Sequence, residues 1–433
     1  MKLIRQISTT RELLFSEGVR AASGEASELV LLPCEREVIW KGFGVCLNEI
    51  CIDALDTLSE RDRAYILDEF FLPDRMNLNF CRLPIGANDY ALGWYSCDET
   101  DGDYALSDFS IDRDKKYVLR FAREALSRNP EIEFFASPWS PPSWMKTPPR
   151  YAGGHIREDE ETLSAYADYL VRFVNAYREE GVRISLLTPQ NEWASDNNYP
   201  TCLWSGETMR RFVADFLGPK MEADAPDVSL CLGTINGTGT LGGFGSRYNE
   251  YTQAVLDDPR AYRYVRAVAY QWEGRRALRP SVESYPELFY LQSENECGDG
   301  SNSWEYANYV FELMREYISG GVGAYVYWNP VLPAGGESTW GWKQNSMITV
   351  SGGKVRFEYE YFVFRHAAAF VQRGARVLRL GGRMSGNAFA FQNADGSIVL
   401  AVQNPFAYEK AISFCGEVVS LAPQSITSLV FKT

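Results

Sequence analysis

The chain has 433 residues, with 43 Lys and Arg against 57 Asp and Glu, a formal net charge of −14, and two histidines, His155 and His366. The acidic balance argues against a protein that grips nucleic-acid phosphates, which needs a basic face. No apolar run approaches the ~18 residues of a membrane-spanning helix, and chemistry built on imidazole has few residues to draw on while carboxylates are plentiful.

In chain order, near-continuous apolar runs at 38–45, 78–84, 133–137, 184–188, 228–233, 265–272, 288–293 and 322–328 read as buried parallel strands. Helical patterns lie among them at 52–71, 112–127, 161–180, 206–224, 249–257 and 303–319, the last stopped by Gly320 and Gly321. Eight strands interleaved with helices predict an α/β fold, a (β/α)₈ barrel over residues 38–365. After a further helical stretch at 358–372 the pattern changes to short alternating strands, with Asp395-Gly396 as a hairpin signal. This predicts a small antiparallel β-sandwich domain from residues 366–433, joined by the N-terminal residues 1–37. The nine cysteines are scattered, with no CxxC pair, and read as reduced thiols rather than a disulfide or zinc framework. The N-terminal stretch MKLIRQISTTRELLFSEG has no apolar signal-peptide core. Together these features predict a cytoplasmic protein.

Barrel chemistry sits at the C-terminal ends of the strands. The fourth predicted strand runs into TPQNE (188–192) and the seventh into QSENECG (292–298). Both deliver a carboxylate, Glu192 and Glu294, to the barrel mouth, on opposite sides of the ring. Two carboxylates across a cleft are what glycoside hydrolysis requires: at ~5–5.5 Å one is a nucleophile and the outcome is retention, at ~6.5–9.5 Å a water fits between and the outcome is inversion. The bland alternative is a pair of solvated loop acids or structural ion-pair partners. The second strand carries Arg82, either a structural ion-pair member or a guanidinium that holds a catalytic carboxylate charged. Asp89, just beyond that strand, is placed to accept sugar hydroxyls or simply to shape a turn. The third strand ends in SPWSPPSWMK (137–146), a rigid loop with Trp139, and the eighth in Tyr327, Trp328 and Asn329, with Trp340 and Trp342 close behind. Tryptophans clustered in loops suit the C–H faces of sugars. A GxGxxG match at 237–242 lacks the acidic partner of a dinucleotide site and reads as a rim loop. Both histidines read as structural.

These motifs resemble glycoside hydrolase family 30, the glucosylceramidase-like retaining β-glycosidases. The resemblance covers roughly residues 40–345 and rests on GFG (42–44), the stretch from Arg82 to Asp89, SPWSPPSWMKT (137–147), TPQNE, QSENECG and Trp328-Asn329. It implies Glu192 as acid/base, Glu294 as nucleophile, Asn191 as the amide that meets the sugar 2-hydroxyl, and Arg82 as the partner of the nucleophile. It also implies Asp89, Trp139 and Trp328 as walls and hydroxyl contacts of the sugar subsite. Three positions depart from the family: Trp193 stands where a Pro is frequent, Gln271 where a His is frequent and Glu273 where a Tyr is frequent, so Glu273 either adds negative charge near the nucleophile or points outward. The resemblance implies cleavage of a small β-glycoside or oligosaccharide, β-glucoside first, with β-xylosidase, β-fucosidase and β-1,6-glucanase as alternatives. It calls for no metal or organic cofactor, no nucleic-acid partner and no membrane. A catalytically inactive carbohydrate-binding barrel is the reading from a different class.

Overall fold

The computed structural model describes residues 1–20, 22, 25–34, 36–237 and 247–432. The eight predicted barrel strands are present as Gly42–Val45, Phe80–Ile85, Glu133–Pro138, Ile184–Leu187, Ser229–Ile235, Val265–Gln271, Phe289–Glu294 and Ala324–Tyr327. They form one parallel sheet in which each strand pairs with its sequence neighbour and the eighth pairs with the first. A parallel bridge between Cys46 and Arg82 closes the ring between the first and second strands. Gly44 permits that closure, since a Cβ there would lie 1.7 Å from the Phe80 carbonyl oxygen. The base of the barrel interior is apolar, packed with Phe80, Phe135, Leu186, Leu291 and Val326. Polar side chains begin only toward the C-terminal ends of the strands, as expected of a packed barrel with its chemistry at the mouth.

Several helices differ from the sequence pattern. The stretch expected at 52–71 is two helices, Glu49–Asp56 and Glu60–Phe71, because the Ser59 hydroxyl accepts the Asp62 N–H and starts the second one afresh. The helix expected at 112–127 breaks at Tyr117, and 206–224 carries a wide turn at Val213–Leu217. A helix at Arg275–Ser284 was not anticipated, with Pro280 inside it masking the pattern. A three-stranded sheet, Val331–Pro333, Ile348–Ser351 and Lys354–Phe357, emerges from the loop after the eighth barrel strand.

The remaining strands build a separate, mostly antiparallel nine-stranded sheet from both chain ends. Strand Lys2–Thr9 pairs with Ser425–Lys432, and Ser27–Leu32 inserts between Arg376–Gly382 and Lys410–Phe414. The sheet curls so that its far regions meet: Gln6 of Lys2–Thr9 donates at 2.8 Å to the Ser420 carbonyl of Glu417–Leu421. Leu400, Ile412, Phe414 and Leu429 fill its own core. Helix Tyr359–Ala368 carries the chain out of the barrel and packs against Trp304–Gly320 on one side and Ser425–Lys432 on the other. All nine cysteines are unpaired thiols.

Candidate active site

Arg82 organises the barrel mouth. It is fully buried in the second strand, and a buried guanidinium requires acceptors. It finds them on three other strands and in the loop after the fourth: Nε donates to Ser137 Oγ at 2.7 Å, Nη1 to Glu294 Oε2 at 2.5 Å, and Nη2 to Asn191 Oδ1 at 2.7 Å and Thr234 Oγ1 at 3.3 Å. Its planar face lies 4.3 Å from the Trp139 ring centroid, and Trp139 stacks on Trp328 at 5.3 Å. The two tryptophans, both almost fully buried, thus form a cation–π floor beneath the charge network.

Gln271 ends the sixth strand and closes the network. Its Nε2 lies 2.6 Å from Asn191 Oδ1, 3.0 Å from Thr234 Oγ1 and 3.0 Å from Glu294 Oε2, while its Oε1 is buried with no donor among the described residues. Asn191 Oδ1 accepts from Arg82, Thr234 and Gln271. The amide oxygen is therefore fully engaged, which leaves the Asn191 NH₂ to donate elsewhere.

Glu192 follows the fourth strand in a left-handed conformation, φ +44°, which costs a non-glycine residue ~1–3 kcal/mol. The conformation is held by backbone bonds from Glu192 N–H to the Thr234 carbonyl (2.9 Å) and from Ser195 N–H to the Glu192 carbonyl (2.8 Å). Its carboxylate takes neutral donors only: Asn236 Nδ2 at 2.7 Å on Oε1 and the Tyr199 hydroxyl at 3.4 Å on Oε2. Glu294, by contrast, has Oε2 held by Arg82 and Gln271, and among the described residues its Oε1 takes only the Cys297 thiol at 3.7 Å.

Glu192, Glu294, Asp89 and Trp139 line one pocket of about 240 Å³, closed by Tyr199, Trp272, Trp342 and Gln344. That is below the ~300–1,000 Å³ of drug-sized ligand sites and suits a single sugar ring. Burial, the largest cause, pushes all three carboxyls up. Asp89 rises to about 7 with help from the nearby Glu192 charge, Glu192 rises from burial alone, and Glu294 rises further from Glu192 and Asp89 while Arg82 pulls it back. Three of the four acids lining the pocket, Glu296 being the fourth, thus share the field of one hydrogen-bonded cation, and their burial and mutual repulsion oppose charging all three at once. The guanidinium contact favours the charge on Glu294, since Glu192 has no cationic donor.

Arg82, Asn191, Gln271 and Trp328 lie beneath this pocket rather than on its wall. Glu273 is half-buried and acts through its backbone, whose N–H donates at 3.2 Å to Asn236 Oδ1; its carboxylate is not among the pocket-lining groups. Thr234, on the fifth strand, and Asn236, just after it, are site residues that the sequence pattern does not single out, because their partners Arg82, Asn191 and Glu192 are distant in the chain. Asn236 directly follows a barrel strand, which is the signal that identified Glu192 and Glu294. The GxGxxG match lies outside the described residues from position 238 onward. His155 is exposed on a short rim strand, and His366 is buried far from the pocket.

The sequence model of the Glycosyl hydrolase family 30 TIM-barrel domain matches residues 40–371. "Putative glucosylceramidase 3" of Caenorhabditis elegans is 28% identical over 427 residues, covering 90% of this chain and 79% of that one. Among solved structures, SrfJ from Salmonella typhimurium aligns with a TM-score of 0.89 at 22% identity, and the endo-β1,6-glucanase BT3312 with 0.86 at 23%, each over 99% of both chains. Arg82 and the carboxylates are thus set in a barrel whose sequence matches that domain over most of its length, and the chain belongs to glycosyl hydrolase family 30.

Proposed function

We propose that the protein is a retaining, exo-acting β-glycosidase with a preference for β-glucosides. The observation that carries this reading is the asymmetry of the two carboxylates in one single-ring pocket. Glu294 is paired with a guanidinium and suited to remain charged; Glu192 is buried among neutral donors and suited to hold a proton. Glu294 Oε1, the less engaged oxygen, attacks the anomeric carbon. The bond to the leaving oxygen breaks, and that oxygen takes the Glu192 proton. Water then attacks the glycosyl–Glu294 ester, gives its proton to Glu192, and the C1–Oε bond breaks, so configuration is retained over two inversions. In this reading the Asn191 NH₂, left free by its fully engaged oxygen, donates to the sugar 2-hydroxyl from the pocket floor, and Asp89 on the wall accepts from ring hydroxyls. In this scheme Glu192 carries each proton, Glu294 the bond to the sugar, and Arg82 holds Glu294. The similarity to a putative glucosylceramidase supports β-glucoside as the first substrate to try.

A panel of 4-nitrophenyl β-glycosides differing only in the sugar tests the reading, with proton NMR of the first-formed product. Fastest release from the β-glucoside with β-glucose formed first is expected. An α-anomer formed first would mean inversion, and a faster xyloside or fucoside would reassign the sugar. Cleavage of β-1,6-glucan with no turnover of any panel member would replace exo with endo action.

A further inference from the structure

The rim of the pocket continues outward as an aromatic strip. A turn at 338–342 is fixed by its own hydrogen bonds, Ser338 N–H to the Trp342 carbonyl at 2.7 Å and the Trp340 and Trp342 N–H groups to Ser338 Oγ. The Thr339 hydroxyl ties it to the Ala91 carbonyl in the loop after the second strand. The turn places Trp342 on the wall of the catalytic pocket, where it remains 48% exposed, and sets Trp340 edge-on against Trp94 at 4.8 Å. Trp94, 42% exposed, stacks on Tyr151 at 5.4 Å and 27°. Beside them opens a second cavity of about 370 Å³, lined by Trp94, Tyr151 and Arg150. Packing alone does not account for two half-exposed tryptophans on tethered loops beside a catalytic pocket, because tryptophan is highly buried on average.

We infer that Trp342, Trp340, Trp94 and Tyr151 form an outer carbohydrate platform that holds the leaving-group sugars of a β-linked oligosaccharide. This rests on the exo-glycosidase reading: one ring fills the 240 Å³ pocket, so the remaining rings leave through the mouth and across the strip. The platform's polar setting distinguishes sugar from a lipid chain. Ser143 at the cavity edge donates its N–H and hydroxyl to the Glu99 carboxylate at 3.1 and 2.5 Å, and Arg150 is exposed beside it. Aromatic faces with hydrogen-bonding groups between them match the mixed C–H and hydroxyl surface of a sugar, whereas an acyl chain would leave those groups unpaired.

The test uses the full chain carrying Glu294→Gln, titrated calorimetrically with glucose and with β-1,3-, β-1,4- and β-1,6-linked glucose oligosaccharides of two to four units. At least about a 10-fold tighter Kd is expected between one and three units in one linkage series, with the gain lost in Trp94→Ala and Tyr151→Ala and partly kept in Trp94→Phe. A melting temperature within the range of the parent shows that the variants are folded. A wild-type chain that hydrolyses 4-nitrophenyl glycosides, with no chain-length gain in its Glu294→Gln form, overturns the platform and leaves the catalytic reading standing. A gain that survives both alanine variants overturns it as well. Neither hydrolysis nor sugar binding overturns both readings.

Discussion

Two buried polar clusters in this molecule differ in how their charge and hydrogen bonds are balanced. At the junction of barrel and sheet domain, His366 Nδ1 lies 2.7 Å from Ser428 Oγ and Nε2 2.8 Å from Thr9 Oγ1. Ser428 spends its own proton on the His366 carbonyl at 2.6 Å, so Nδ1 must donate and Nε2 must accept from Thr9. Burial pushes His366 down to about 3, so the ring is neutral and every group is matched. At the barrel mouth, Glu192, Glu294 and Asp89 lie in the field of Arg82, which hydrogen-bonds Glu294, and the Gln271 amide oxygen has no donor among the described residues. The first cluster fastens helix Tyr359–Ala368 to both terminal strands. The second carries unbalanced charge toward a cavity. Burial of polar groups alone does not mark a functional site; burial with charge left uncompensated does.

The contrast is open to breakage from either end. Glu294→Gln should lower kcat at least ~10⁴-fold, as the loss of a nucleophile does, in steady-state assays on a 4-nitrophenyl β-glucoside. Glu192→Ala should cost ~10²–10⁴-fold on alkyl glycosides, whose leaving oxygen needs a proton, and far less on 4-nitrophenyl substrates. Asn236→Ala removes the shortest donor to Glu192 and should reduce kcat/KM about 10-fold, the equivalent of one hydrogen bond of about 1.4 kcal/mol. Because that donor holds Glu192 down, its loss should also move the alkaline limb of the pH profile upward. Asp89→Asn removes a negative neighbour that raises Glu294, so the acidic limb of kcat/KM should move to lower pH, along with a higher KM.

His366→Ala should leave kcat/KM within about 2-fold and lower stability by ~2–3 kcal/mol through an unmatched hydroxyl pair and a cavity, measured by urea unfolding. The sign of its pH dependence follows from the depressed value. The unfolded chain binds a proton on this ring below ~6.5 while the folded chain refuses it until about 3. The wild-type protein therefore loses this share of stability as pH falls through that window, and the variant should not.

The barrel was legible because parallel strands buried on both faces read as uninterrupted apolar runs, and all eight appear at the expected places. Glu192 and Glu294 were legible for a positional reason, each following such a run. What escaped depends on distant partners. Thr234 looks like any residue of an apolar strand until Arg82, Asn191 and Gln271 converge on it. Tyr199 lies seven residues beyond Glu192 in a loop, and nothing in its neighbours predicts that the loop returns to the same carboxylate. Strands 4 and 7, expected on opposite sides of the ring, are separated by the fifth and sixth strands, whose ends contribute Asn236 and Gln271 between the two carboxylates. The departure at Gln271 was visible in the sequence. Its consequence, a neutral amide bridging three acceptors, required the geometry.

The account turns on Glu294 forming a covalent bond to the sugar. Incubation with 2-deoxy-2-fluoro-β-glucosyl fluoride, followed by proteolysis and mass spectrometry of the labelled peptide, tests this directly. The predicted result is one fluoroglucosyl group per chain, on the peptide containing QSENECG and placed by fragmentation on Glu294. A label on Glu192 or Asp89, or time-dependent inactivation with Glu294 unmodified, would contradict it.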